Sequence, residues 1–213
     1  LHGSSAASDV YKRQIFGRPF AGSLIAEFLF TAADCPYTIS FPDETERKTA
    51  QFLAKNPTGR IPVLVCPEGH SMFESLAIVH HITERFDGLA PTASGAERDR
   101  YLSLITLLAT TVYPAYHRQH HTRYYGLEDD FDGIKAKARE MNYTLFDYFE
   151  DQLFPYLLGQ NVCAADFYLY MLTRWDPQKD QMLANRPKLA AFCDEMRGHN
   201  VVETVLAKQP RKK

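Results

Sequence analysis

Residues 56–78 read N-P-T-G-R-I-P-V-L-V-C-P-E-G-H-S-M-F-E-S-L-A-I, and they carry the clearest structural pattern in the chain. Positions 61–65 are rich in β-branched residues and predict a short strand. The P-E-G run at 67–69 predicts a tight turn, and Met72 opens a second, paired strand. Apolar residues then recur at helical spacing over 74–86. The stretch therefore predicts a β-hairpin that leads directly into a helix.

An acid and a hydroxyl stand where this helix begins, at Glu74 and Ser75. The first amides of a helix have no partner inside it, so they favour a bound carboxylate, and the Glu74 carboxylate suits an ammonium group beside it. A ligand with both charges on one carbon, the head of an amino acid, fits this pair. Pro62 follows Ile61 at the start of a strand, and a cis bond there would expose backbone to a ligand.

The combination of N-P-x-G-R-I-P-V-L at 56–64 and E-S-x-A-I at 74–78 resembles the glutathione-binding domain of the glutathione transferases. The two motifs occur in the right order and at the right distance, and the resemblance covers residues 15–208. A Tyr-Pro pair at 113–114 and T-R-W at 173–175 look like a bacterial, cytosolic branch of the family.

The resemblance implies a glutathione site. Pro62 is expected to be cis, and Ile61, which follows Arg60, is expected to pair through its backbone with the cysteinyl part of glutathione. Glu74 and Ser75 are expected to hold the γ-glutamyl group. Glutathione would be a co-substrate, and no metal is expected.

Ser23 precedes a run of apolar residues with helical spacing. Serine is a preferred N-cap, which gives one interpretation. The resemblance gives another, because many glutathione transferases place a Ser, Tyr or Cys in this loop or first helical turn to stabilise the thiolate. Ser23 is the hydroxyl that the match places best, so the resemblance implies that it is the catalytic residue. Residues 15–23 contain neither Tyr nor Cys, which disfavours a tyrosine-type or a thiol-type mechanism.

The fold class follows from the order of elements. Strand, helix, strand, helix, hairpin and helix over 15–86 predict a mixed four-stranded sheet in a thioredoxin-like α/β domain. We predict that residues 87–95 form a linker. No strand pattern occurs over 96–208, so we predict an all-helical C-terminal domain there. We interpret residues 1–14 as a non-native or fragment extension and 209–213 as a tail.

Composition excludes several classes of protein. A net charge of −2 gives no reason to expect nucleic acid or an acidic membrane as a partner, and no apolar run is long enough to span a membrane. The four cysteines lack metal-type spacing and are read as reduced, mostly buried thiols of a cytoplasmic protein. The family resemblance implies a homodimer.

Two features of the helical region bear on function. Pro114 must kink or end a helix near Tyr113. We predict that Tyr113, Tyr116 and His117 contact a hydrophobic electrophile. Ordinary core or surface positions explain these three residues equally well. His117 also shares a helix face with His120 and His121, but no acidic residue follows them before position 128, which disfavours a metal site there.

The segment C-A-A-D at 163–166 corresponds to Ser/Thr-x-x-Asp in the family. We predict that Asp166 is structural, as the returning carboxylate of a capping box. Cys163 replaces the capping hydroxyl, and sulfur is a weak acceptor, so reduced stability is expected rather than altered chemistry.

The sequence thus predicts a glutathione transferase that activates the glutathione thiolate for attack on a hydrophobic electrophile, a detoxification reaction. Two alternatives stay open. One keeps glutathione but changes the reaction to isomerisation, dehalogenation or peroxide reduction. The other is a non-catalytic glutathione-binding or ligand-storage protein.

Overall fold

The computed structural model describes residues 13–210, which form two compact units. The first unit comprises the described residues up to Leu89 together with those from Asn200 onward, and the second comprises Ala90–His199. The break after Leu89 falls inside the predicted linker. In the described part of the chain, no helix combines the length and apolar character needed to cross a membrane.

The first unit contains the mixed four-stranded sheet that the sequence predicts. Its strands lie in the order β2-β1-β3-β4, with β1 parallel to β2 and antiparallel to β3, and β3 antiparallel to β4. This is the thioredoxin-like arrangement. The elements are β1 Arg13–Phe16, α1 Leu24–Ala32, β2 Tyr37–Ser40, α2 Glu44–Arg47, α3 Ala50–Leu53, β3 Val63–Val65, β4 Ser71–Phe73 and α4 Ser75–Thr83.

Helix α1 is the most deeply buried helix element of this unit's core. It packs against α4 and against the last helix of the chain, α11 (Asn200–Ala207), so its residues from Leu24 to Phe30 are buried on every side. That burial includes one acid, Glu27. The predicted boundary at 208 assigned the last helix to the helical domain, whereas its packing against α1 groups it with the sheet.

Asp43 starts α2 with a capping box, the structure that an Asp followed by Glu46 three residues later indicates. The Glu46 amide donates to Asp43 Oδ1 at 2.8 Å, and the Asp43 amide donates to Glu46 Oε2 at 2.7 Å. The helix that it starts ends early, because Thr49 caps a separate helix, α3, by accepting from the Phe52 amide at 3.3 Å. One predicted helix is therefore two short ones.

Both chain ends differ from expectation where they are described. Strand β1 begins at Arg13, inside the segment that the sequence assigned to an extension; the prediction for 1–12 lies outside the described residues. Gln209, predicted to begin a tail, is 5% exposed and bonds to two residues of the first unit. The prediction for 211–213 also lies outside the described part.

The second unit is helical, as predicted. Pro114 lies in the first turn of its second α-helix, and the five residues before that helix form a π-helical turn, Leu108–Val112. A π-turn accommodates the proline ring and its missing amide N–H without ending the helix. The α-helices are α5 Ala96–Leu107, α6 Tyr113–His120, α7 Phe131–Gln152, α8 Ala164–Thr173, α9 Lys179–Leu183 and α10 Pro187–Arg197.

Asp166 is a buried structural acid, as its sequence context predicts. Its carboxylate accepts from the Leu157 amide at 2.9 Å, from the Cys163 amide at 2.9 Å and from the Cys163 thiol at 3.0 Å. Burial raises its pKa, and these bonds counteract that shift. The thiol therefore serves as a donor to Asp166, which the sequence did not predict.

Candidate functional site

The acid-hydroxyl pair lies at the start of α4. Ser75 is the first residue of the helix, and Glu74 precedes it in the left-handed region, with φ of 68°. The Glu74 side chain makes no bond to the helix's own amides and is exposed. The first amides of α4 and the Glu74 carboxylate thus combine a positive and a negative group at one helix end.

The β-hairpin brings the second motif to the same place. Val63 pairs with Phe73 across the antiparallel ladder, so Pro62, just before Val63, and Glu74, just after Phe73, lie at the same end of the hairpin. The Ile61–Pro62 peptide bond is cis. Ile61 is half-buried.

A buried asparagine holds the loop before this proline. Asn56 donates from Nδ2 to the Arg60 carbonyl at 2.8 Å, and its Oδ1 accepts from the Thr58 amide at 3.0 Å and the Thr58 hydroxyl at 2.9 Å. Arg47 donates to the Gly59 carbonyl at 3.3 Å, which places a guanidinium beside the same loop. Sequence reasoning matched Asn56 to a motif but missed this clamping role, although an Asn-Pro-x-Gly turn signals a side chain bonded to nearby backbone.

Ser23 is fully buried, and although it stands at the N-cap position of α1, its side chain makes no capping hydrogen bond. Its backbone is already helical, with φ of −66° and ψ of −22°, so the side chain turns back toward the preceding loop instead of toward the helix amides. Its hydroxyl donates to the Arg18 carbonyl at 3.2 Å and accepts from the Arg18 amide at 3.4 Å. The N-cap interpretation therefore holds for the position of Ser23 but not for its hydroxyl, and the catalytic role stays a prediction.

A side chain from the C-terminal part of the chain holds the loop that precedes Ser23. Gln209 donates from Nε2 to Glu27 Oε2 at 2.8 Å and accepts at Oε1 from the Phe20 amide at 3.1 Å. Phe20 has a φ of 56°, in the left-handed region. One side chain therefore joins the acid of α1 to the loop that precedes Ser23, a contact that no local sequence pattern signals.

Burial raises the pKa of Glu27 to about 7 from 4.5, and it outweighs the opposing effects of Gln209, Ser23 and Lys208. Because the folded protein holds this proton more tightly than the unfolded chain, the contribution of Glu27 to stability is largest below pH 4.5 and is lost as the pH rises through about 7. The loss amounts to about 3 kcal/mol.

We therefore expect Glu27→Gln to remove this pH dependence and to raise the free energy of unfolding above pH 7, because the amide keeps an acceptor for Gln209 without a charge to desolvate. Urea unfolding from pH 4.5 to 8 measures it. Glu203→Gln, at an exposed position of α11, is the control. Equal pH slopes for native protein and Glu27→Gln would contradict the assignment.

The four cysteines are free and buried, as predicted. Cys66 lies beside an imidazole, with its Sγ 3.7 Å from Nε2 of the buried His81. Burial raises the pKa of the Cys66 thiol and lowers that of the His81 imidazole. Both groups are thereby held neutral, which argues against a reactive thiolate-imidazolium pair.

The three residues predicted to contact an electrophile lie in α6 of the second unit, and they differ in exposure. Tyr113 and His117 are half-buried. The Tyr113 ring packs edge-on against Trp175, with ring centroids 4.9 Å apart. Nδ1 of His117 lies 2.7 Å from the Tyr125 hydroxyl. Tyr116 differs from the expectation: it is fully buried, and its hydroxyl donates to Asp176 at 3.1 Å. A buried phenol needs such a partner, so Tyr116 belongs to the core of this unit.

The fold and the paired motifs define a thioredoxin-like unit with a candidate site for an amino-acid head group. Residues 16–84 match the family model for the glutathione S-transferase N-terminal domain. Residues 16–84 therefore form a domain of the glutathione transferase superfamily.

Relatives align over nearly the whole chain. The chain is 27% identical over 186 residues to the uncharacterized GST-like protein YncG of Escherichia coli (strain K12), covering 85% of this chain and 90% of that one. It is 24% identical to glutathione S-transferase GST-4.5 of Xanthomonas campestris pv. campestris, with 91% and 97% covered. A glutathione transferase homolog from Sulfitobacter, solved with bound glutathione, superposes with a TM-score of 0.82 at 25% identity, covering 92% and 98%.

Proposed function

We propose that this protein is a glutathione transferase that binds glutathione and activates its thiolate for attack on a hydrophobic electrophile. The observation that carries the proposal is the acid-hydroxyl pair of Glu74 and Ser75 at the start of α4, at the same end of the hairpin as Ile61 and Pro62. The resemblance to a homolog solved with glutathione supports the choice of ligand. The homodimer implied by the family belongs to the same proposal.

The binding roles follow from the chemistry of the tripeptide. The γ-glutamyl group carries an ammonium and a carboxylate on one carbon, which match the Glu74 carboxylate and the Ser75 end of α4. The backbone of Ile61, beside Arg60 and Pro62, supplies donors and acceptors for the cysteinyl part. Tyr113 and His117 keep their proposed role toward the electrophile, whereas the burial of Tyr116 leaves it a supporting one.

Activation requires a lower thiol pKa. A free thiol has a pKa of about 8.5, so only a small fraction is ionised at neutral pH. We propose that the first amides and the dipole of α1 stabilise the thiolate, and that Ser23 adds a hydrogen bond. A hydroxyl has one proton, so Ser23 would have to give up its bond to the Arg18 carbonyl to donate to sulfur.

Ser23→Ala tests this role. A hydrogen bond to a charged group is worth about 1.5–3 kcal/mol, so the variant is expected to lose roughly tenfold to a hundredfold in kcat/KM and to raise the pKa of the bound thiol. Conjugation of glutathione to 1-chloro-2,4-dinitrobenzene gives the rate, and thiolate absorbance against pH gives the pKa. The matched control is Ser103→Ala, which removes a bond from an exposed serine to the Asp99 carbonyl. Unchanged turnover and thiol pKa would move the role from Ser23 to the α1 amides.

A second candidate function is a non-catalytic glutathione-binding protein. The burial of Ser23 and the occupation of its hydroxyl by Arg18 favour it. The same experiment separates the two: native protein that binds glutathione but shows no conjugation with any tested electrophile supports the second candidate.

A further inference from the structure

The turn between β3 and β4 carries three side chains of the kinds that bind transition metals. Cys66, Glu68 and His70 stand at alternate positions of the C-P-E-G-H turn. Each offers one ligand atom, and the thiol sulfur, a carboxylate oxygen and an imidazole nitrogen all lie within 4.8 Å of one another. Cys66 is buried, while Glu68 and His70 are exposed.

A fourth side chain reaches the cluster from α4. His81 is buried, and its Nε2 lies 3.7 Å from Cys66 Sγ. Its ring faces that of His70 edge to face, with centroids 6.4 Å apart. A sulfur and a nitrogen bound to one tetrahedral Zn²⁺ are separated by about 3.6 Å, from Zn–S and Zn–N distances of about 2.3 and 2.05 Å. The thiol and the imidazole are thus already spaced as ligands of one ion.

The backbone of the turn holds its ligands in place. The Cys66 amide donates to the His70 carbonyl at 2.9 Å, and the Gly69 amide donates to the Cys66 carbonyl at 2.9 Å. Gly69 adopts a φ of 88°, which only glycine adopts readily. These bonds fix the backbone of Cys66 opposite that of His70, so only the side chains have to be ordered when an ion binds.

We propose that Cys66, Glu68, His70 and His81 form a Zn²⁺ site. The ligand set of one sulfur, two imidazoles and one carboxylate suits Zn²⁺, which takes all three donor types in tetrahedral geometry. The thiolate and the carboxylate neutralise the charge of the ion. Both negative charges are needed, because Arg13 and Arg85 already bring positive charge close to His81.

The site is separate from the proposed glutathione site. Pairing of Val63 with Phe73 and of Val65 with Ser71 puts the Cys66–His70 turn at the opposite end of the hairpin from Pro62 and Glu74. The ion would tie this turn to the later part of α4, the helix that begins at Ser75. Its function is structural, and it does not depend on the reaction that the protein catalyses.

The spacing C-x-E-x-H, with a further histidine eleven residues on, is not a familiar zinc motif, so the sequence alone gave no signal of it. The cluster of His117, His120 and His121 does not compete, because His120 Nε2 lies 3.0 Å from the Trp175 carbonyl and is turned to that partner.

The test is a titration of Co²⁺ into the full chain, stripped of metal and free of glutathione, followed by displacement with Zn²⁺. We expect one equivalent of Co²⁺ to give a thiolate-to-cobalt charge-transfer band and the strong visible bands of tetrahedral cobalt. His70→Ala, which removes a ligand, is expected to weaken binding by more than the roughly 10- to 100-fold that the loss of an outer-shell partner costs. Because His70 is exposed, this variant keeps its fold.

His80→Ala, at the neighbouring position of α4, is the matched control and should bind as the native protein does. Zn²⁺ should also raise the melting temperature of native protein and of His80→Ala, but not of His70→Ala. Three results would overturn the proposal. The first is a spectrum without the thiolate band, and the second is an equal Co²⁺ affinity for native protein and His70→Ala. The third is an equal loss of Co²⁺ affinity in His70→Ala and His80→Ala. None of these outcomes depends on glutathione binding or turnover.

Discussion

Glu74→Ala combined with Ser75→Ala is expected to lower the affinity for glutathione by more than about 100-fold. Each residue is proposed to bond a charged group of the γ-glutamyl head, and hydrogen bonds to charged groups contribute about 1.5–3 kcal/mol each. Two such bonds together amount to at least about 3 kcal/mol, which corresponds to more than two powers of ten. Titration calorimetry measures the change.

The double variant should still fold. The Glu74 side chain makes no bond to the helix amides and is exposed, so its loss removes no capping bond from α4. Glu74→Gln separates charge from shape, and its affinity should fall between those of native protein and the double variant. Glu84→Ala, at the other end of α4, controls for the general loss of an acid from this helix. Native-like affinity in the folded double variant would remove the basis of the proposed function.

Asp166→Ala is expected to lower the free energy of unfolding by at least about 3 kcal/mol, because each buried donor left without an acceptor costs about 1–3 kcal/mol. Three donors lose their partner: the amides of Leu157 and Cys163 and the Cys163 thiol. The denaturation midpoint in urea measures the loss.

Asp194→Ala provides the comparison for Asp166→Ala. Asp194 forms an exposed ion pair with Arg197 at 2.8 Å, and exposed pairs contribute about 0–1 kcal/mol. A shift for Asp166→Ala no larger than that for Asp194→Ala would show that water replaces the lost carboxylate, and the structural role of Asp166 would be refuted.

The parts of the fold that the sequence predicts depend on local patterns. The β-hairpin, the start of α4 and the Asp43 capping box are each encoded within a few neighbouring residues, because turn residues and caps act on adjacent backbone. The acid-hydroxyl pair at Glu74 and Ser75 was found for the same reason. The signal is complete within the segment that forms the structure.

The parts that the sequence did not predict depend on residues far apart in the chain. Gln209 bonds to Glu27 and to the Phe20 amide, and these partners are more than 180 residues distant, so no local pattern marks the contact. Ser23 shows a related limit. Serine at a helix start favours a cap, but the helical backbone at Ser23 turns its hydroxyl toward Arg18 instead. The approach of His81 to Cys66 likewise becomes visible only once α4 packs beside the hairpin.

A ligand-truncation cycle shows whether Glu74 and Ser75 recognise the amino-acid head of glutathione. Calorimetry compares glutathione with cysteinylglycine, which lacks the γ-glutamyl group, on native protein and on Glu74→Ala/Ser75→Ala. We predict that native protein binds glutathione far more tightly than cysteinylglycine, and that the double variant binds both equally weakly. An equal preference for glutathione in both proteins would contradict the claim, because the γ-glutamyl group would then be held elsewhere.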